Sequence, residues 1–167
     1  MNDHSRKCLF CALWGAFVVC VLIVLCLALA GQAWADETYL QLNGASIHSG
    51  ECQGGCNEKN WGLGIQRDWV TEEDPGYIQS LAAGTFINSM RDRSYYAGWS
   101  ARYKMGPVGA GVFGGLIYYP AERSNYWPAL LPMFSLNFKH VGVNAIWLPA
   151  VSKEAVPAWF FQFVVKL

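Results

Sequence analysis

Side chains that could do chemistry are few in this chain, which holds six cysteines and three histidines among 167 residues. Cys8 and Cys11 have the spacing of a redox or zinc pair, but they sit at the mouth of an apolar export segment that also carries Cys20 and Cys26. Those four are discounted, because they leave with the segment if it is removed. Cys52 and Cys56 remain, in Cys-Gln-Gly-Gly-Cys. In an oxidising compartment the expected product is a local disulfide closing a small loop, opposed only by the strain of so short a ring. A structural zinc site wants four ligands, so two thiols predict no metal, and no cofactor motif is present. Taken singly, His48 reads as a loop histidine without a task and Ser89 as an ordinary hydroxyl. Arg91-Asp92-Arg93 reads as a solvated charge run.

The elements that would position these residues begin after residue 35. Arg6 and Lys7 precede an apolar run from Leu9 to Ala30, and Gln32-Ala33-Trp34-Ala35 ends in a small-residue cleavage pattern. Residues 1–35 are therefore expected to be a secretory signal and residues 36–167 a single domain. The long apolar run keeps an uncleaved single-span anchor as the competing reading. From residue 36 onward, ten Lys or Arg stand against eleven Asp or Glu. That balance gives no electrostatic reason to expect nucleic acid. No later stretch is long and apolar enough for a membrane helix, so a further crossing would have to be made by strands.

Strand periodicity is clearest at the C-terminus. Trp159, Phe161, Phe163, Val165 and Leu167 fall on one face of an extended segment, and Ala158, Phe160, Gln162, Val164 and Lys166 on the other. A row of large apolar residues at period two is a lipid-facing stripe. Eight such segments can be laid along the chain: 38–48, 61–70, 77–88, 94–104, 108–119, 129–138, 141–148 and 157–167. The fourth sets Tyr95, Trp99 and Tyr103 against Ser94, Gly98, Ser100, Arg102 and Lys104. Polar turns near 71–76, 105–107 and 139–140 alternate with longer loops near 49–60, 89–93, 120–128 and 149–157. The predicted fold is an all-β, eight-stranded antiparallel up-and-down transmembrane β-barrel in the bacterial outer membrane, with the long loops outward. Aromatic residues near strand ends, such as Trp61, Trp69, Tyr118 and Trp127, fit interfacial girdles as well as ordinary core packing. The inner rows mix polar residues with Leu, Ala, Gly, Val and Phe, which suits either a hydrocarbon chain or a plug of side chains.

Asn57-Glu58-Lys59-Asn60-Trp61-Gly62-Leu63-Gly64 resembles the Asn-Glu-x-x-Trp-Gly-x-Gly segment of the lipid A palmitoyltransferases, the PagP family. Pro128-Ala129-Leu130-Leu131-Pro132, running on to Trp147-Leu148-Pro149, resembles the same family. The resemblance implies a barrel that moves a palmitoyl chain from phospholipid to lipid A, with phospholipid and lipid A as partners and a monomer in the membrane. It implies a catalytic His at the outer end of the first strand, matched by His48, and an Asp-Ser pair in the second outer loop. Ser89 matches that serine, while Asn88 replaces the aspartate. An amide cannot supply a carboxylate's charge, an exchange that costs about 10⁴ in rate in the serine-triad template. Asp92 is a candidate substitute from the same loop. In these terms Ser89 contacts or activates the acceptor hydroxyl, His48 shuttles the proton, and Asn88 holds the geometry or adds a hydrogen bond. Arg91 and Arg93 either meet lipid phosphates or are plain loop charge.

Pro132 and Pro149 point to an acyl-chain gate by a separate route. Proline removes a ladder donor, so the wall between the sixth and seventh strands is expected to be weak near its outer end, unless both prolines simply mark strand ends. Two departures from the family stand out: only Asp36-Glu37-Thr38 separate the expected cut from the first strand, where the family has an amphipathic helix, and the first outer loop is short and carries the cysteine pair. Two other classes compete with the acyltransferase reading: a non-catalytic outer-membrane barrel serving surface protection or adhesion, and a soluble β-sandwich or lipocalin-like carrier.

Overall fold

Period-two alternation along nearly the whole of residues 37–167 leaves the chain one economical way to satisfy its backbone, which is to pair each strand with the next and close the sheet on itself. A computed structural model describes residues 37–50, 55–71, 74–120, 126–150 and 156–167. The expected signal segment, residues 1–35, and Cys52 lie outside the described residues. The strands are β1 (Glu37–His48), β2 (Lys59–Thr71), β3 (Asp74–Ile87), β4 (Arg93–Met105), β5 (Val108–Tyr118), β6 (Tyr126–Asn137), β7 (Val141–Leu148) and β8 (Ala158–Lys166). Each pairs antiparallel with its neighbours, and β1 closes on β8, so the sheet is an eight-stranded up-and-down barrel, as the alternation predicts. Near the termini Lys166 forms an ion pair with Glu37, and the amide of Leu167 donates to the carbonyl of Thr38 at 2.9 Å.

Three strands begin two or three residues earlier than the sequence suggests. β2 begins at Lys59, β3 at Asp74 and β6 at Tyr126, so Asp74-Pro75-Gly76 and Trp127-Pro128 belong to strands and not to turns. Proline is tolerated at Pro128 because its strand is laddered there to β5 alone. Pro128 pairs with Leu116, whereas pairing of β6 with β7 runs only from Met133↔Ile146 to Asn137↔Gly142.

Side chains sort by face. Outward rows carry Leu42, Leu63, Val112, Leu116, Phe134 and Phe163, all exposed. Tyr95, Tyr118 and Tyr126, in register across β4, β5 and β6 near the long-loop end, stack with ring centroids 6.2 and 5.0 Å apart. That is an aromatic girdle of the kind that settles at a bilayer interface.

The interior has two halves. Toward the long loops, Phe86, Tyr96, Phe113, Ile117, Leu131 and Phe160 pack together, Phe86 and Phe160 at a centroid distance of 5.2 Å. Toward the termini the interior is polar and hydrogen-bonded. Arg102 pairs with Asp68 and donates to Ser80 Oγ at 3.1 Å, Gln66 Nε2 donates to Asp68 Oδ1 at 2.6 Å, and Asn144 Nδ2 donates to Gln66 Oε1 at 3.0 Å. Tyr96 joins the halves by donating its hydroxyl proton to Gln41 Oε1 at 2.7 Å.

Candidate functional site

A phase shift in β1 decides where its last residues point. Tyr39, Gln41 and Asn43 face inward, while Leu40 and Leu42 face outward. The ladders to both β2 and β8 skip a residue between Asn43 and Ala45, so Gly44 forms a β-bulge. Beyond it the inward face changes from odd to even positions, and Ser46 and His48 turn in. Without the bulge His48 would lie on the lipid face with Leu40 and Leu42. Its side chain is instead 7% exposed, at the long-loop rim.

Ser89 comes to it from the β3–β4 loop. His48 Nε2 and Ser89 Oγ lie 2.9 Å apart, which is hydrogen-bond distance between a candidate base and a candidate nucleophile. The loop that presents Ser89 is organised by Asn88, which is buried. Asn88 Oδ1 accepts from the amides of Met90 at 2.8 Å and Asp92 at 3.0 Å, and Nδ2 donates to Ser94 Oγ at 3.1 Å. Its own amide donates to the carbonyl of Asp92 at 2.8 Å, and Arg91 closes the turn in the left-handed region at φ 69°. Asn88 thus shapes the loop through bonds that run to the loop itself and to Ser94 on β4. Asp92 enters the same turn through its main chain.

The end of the first long loop is stitched to the second. The amide of Asn57 donates to the carbonyl of Ser89 at 2.9 Å, and Asn57 Nδ2 donates to the carbonyl of Asn88 at 3.0 Å. Cys56, just before it, is disulfide-bonded. Below, β2 and β3 approach too closely for side chains at the glycines of the Trp-Gly-x-Gly segment. A Cβ at Gly62 would lie 1.8 Å from the Thr85 carbonyl oxygen, and one at Gly64 would lie 2.4 Å from the Tyr96 hydroxyl. Although the β2–β3 ladder stops at Gly64↔Gly84, Asn60 Nδ2 donates to the Ile87 carbonyl at 2.8 Å and Asn43 Nδ2 to that of Thr85 at 2.8 Å, so amide side chains hold the upper wall shut.

The carboxylate beside the histidine is one that sequence reasoning did not assign. Glu58 Oε1 lies 3.9 Å from His48 Nδ1, a nitrogen that is buried and without a hydrogen-bond partner among the described residues. Nothing in the residue pattern singles out an exposed glutamate ten residues downstream, because the contact depends on how the first loop returns over the rim. Pro132 and Pro149 lie elsewhere. Pro132 faces outward on β6 beside the last β6–β7 rung, and Pro149 follows the end of β7. Under them a cavity of about 50 Å³ is lined by apolar groups including Leu131, Ile146, Leu148 and Phe160, with Gln41, Gln66 and Gln162 below. Among the described residues no group of three or more metal-ligating side chains converges.

A closed eight-strand ladder, an apolar outer face with a tyrosine girdle and a hydrogen-bonded polar plug define this chain as a β-barrel of the outer-membrane class. No protein-family model matches the chain, and no curated protein matches it. Among solved structures it is similar to the outer membrane protein Ail of Yersinia pestis, determined in a phospholipid bilayer nanodisc, at 12% identity and a TM-score of 0.46, covering 78% of this chain and 99% of that one.

Proposed function

We propose that this protein works as a monomer at the outer leaflet of the outer membrane and uses Ser89 and His48 to move an acyl chain from a phospholipid to lipid A. The observation that carries the reading is the 2.9 Å contact between His48 Nε2 and Ser89 Oγ at the long-loop rim, where lipid head groups would meet the barrel. In the first half of the reaction Ser89 Oγ attacks the ester carbonyl of the donor. Its proton passes to His48 Nε2 and then to the departing glycerol oxygen, leaving an acyl-serine and a lysophospholipid. In the second half a lipid A hydroxyl attacks the acyl-serine and gives its proton to the same nitrogen. Ser89 leaves and takes that proton back, so the site returns to its starting state. Arg91 on the Ser89 loop and Arg93 at the start of β4, both exposed, supply cations for the phosphates of either lipid. The unladdered stretch between β6 and β7 above Met133↔Ile146 supports the acyl-chain gate at Pro132 and Pro149. Every strand has both neighbours, so no sheet edge invites a second copy.

One observation favours a second reading, a non-catalytic barrel serving surface protection or adhesion. The cavity of about 50 Å³ is well below the ~300–1,000 Å³ of sites that enclose small-molecule ligands, so an acyl chain must part the Phe86–Phe160 packing to enter. Mass spectrometry of lipid A from cells expressing the wild type, Ser89→Ala and His48→Ala separates the two. The acyltransferase reading expects added acyl mass with the wild type and a loss of about 10³-fold or more with either variant. An unchanged profile with correctly inserted wild-type protein would remove the acyltransferase reading.

A further inference from the structure

Nothing in the Ser89–His48 contact explains how the imidazole is held with its lone pair toward the serine. A neutral imidazole accepts a proton at Nε2 only while Nδ1 carries the other one, so whatever faces Nδ1 chooses the working tautomer. We propose that Glu58 is the positioning residue for His48: its carboxylate accepts a hydrogen bond from Nδ1–H, keeps Nε2 free to take the Ser89 proton, and balances the imidazolium that then forms. The inference rests on the Ser89–His48 site and assigns to the first outer loop the charge that Asn88 lacks.

Three observations converge on it. Nδ1 is buried and has no hydrogen-bond partner among the described residues, an arrangement that burial penalises unless a partner closes on it. Glu58 Oε1 is 3.9 Å away, about 1 Å beyond hydrogen-bond distance, on a side chain that is 59% exposed and so has room to turn in. Catalytic hydrogen bonds are often long before substrate arrives and tighten once lipid covers the rim. Finally, the main chain holds both ends of the relay from one short stretch. The carbonyl of Glu58 accepts from the amide of Ser46 at 3.0 Å, two residues before His48, and the adjacent Asn57 is bonded to the carbonyls of Ser89 and Asn88. Asn88 is already committed on both sides of its amide, to Met90, Asp92 and Ser94.

The test uses the full chain folded in detergent micelles with ¹⁵N-labelled histidine. Imidazole shifts of His48 report its tautomer directly, whether or not lipid is turned over. The wild type is expected to hold the Nδ1–H form. Glu58→Ala should raise the Nε2–H fraction several-fold and slow labelling of Ser89 by a fluorophosphonate by about 10- to 10²-fold. Glu58→Asp should restore part of the labelling rate. In a His48→Ala background, Glu58→Ala should have no further effect, an outcome that a merely structural glutamate would not give. An unchanged tautomer and labelling rate in Glu58→Ala would overturn the assignment even if lipid A is acylated. A tautomer that follows Glu58 in a barrel that moves no acyl chain would uphold the contact and overturn the acyltransferase reading instead.

Discussion

Asn88 carries the sharpest single-residue consequence of the structure. By resemblance it stands where an aspartate would face a histidine, yet its hydrogen bonds run to Met90, Asp92 and Ser94. Removing the amide strips a buried cap, so Asn88→Ala should lower stability by about 1–3 kcal/mol, read from unfolding in micelles, and loosen Ser89 with it. Asn88→Asp keeps the acceptor for the two amides. Since its carboxylate would point at Ser94 and not at His48, acyl transfer should stay within about three-fold of the wild type. A gain of 10²-fold or more would show that position 88 addresses the histidine after all. His48 and Ser89 were legible only as a pair and only through the resemblance. The inward turn of His48 was not, because one skipped residue at Gly44 reverses the face of everything after it, and alternation alone does not show where a ladder skips.

At the scale of elements, eight strands were legible because each carries its own alternation, and the short and long connections fell out between them. Their ends were less so. Pro128 reads as a strand breaker until its strand is seen to be laddered to β5 alone over that stretch. The same arrangement leaves β6 above Met133 and β7 at Trp147 and Leu148 without rungs to each other. Hydrogen–deuterium exchange in micelles should find the amides of residues 129–131 that point away from β5 exchanging about 10²-fold faster than those of residues 133–137. Equal protection along the whole of β6 would close the seam and remove the support it lends to a gate at Pro132 and Pro149.

On the scale of the whole molecule, a barrel this small is filled by its own side chains, and the filling is divided between an aromatic half and a polar half. The mixed inner rows are visible in the sequence. That Arg102 meets Asp68 and Ser80 is not, since the contact depends on registers summed across β2, β3 and β4. Arg102→Leu leaves Asp68 buried without its counter-ion and should destabilise the barrel by about 3–5 kcal/mol, seen as heat-modified migration at a lower temperature, whereas Arg102→Leu with Asp68→Leu should recover most of the loss. The Arg102–Asp68 pair is thus a local contact within the polar half, and the Ser89–His48 contact lies apart from it at the rim. The most direct measurement is made on the purified barrel in vesicles containing isotope-labelled phospholipid and unlabelled lipid A, followed by mass spectrometry of both lipids. The Ser89–His48 account predicts labelled acyl chains on lipid A with a matching yield of lysophospholipid, abolished in Ser89→Ala. A folded, inserted wild-type barrel that leaves both lipids unchanged would contradict it.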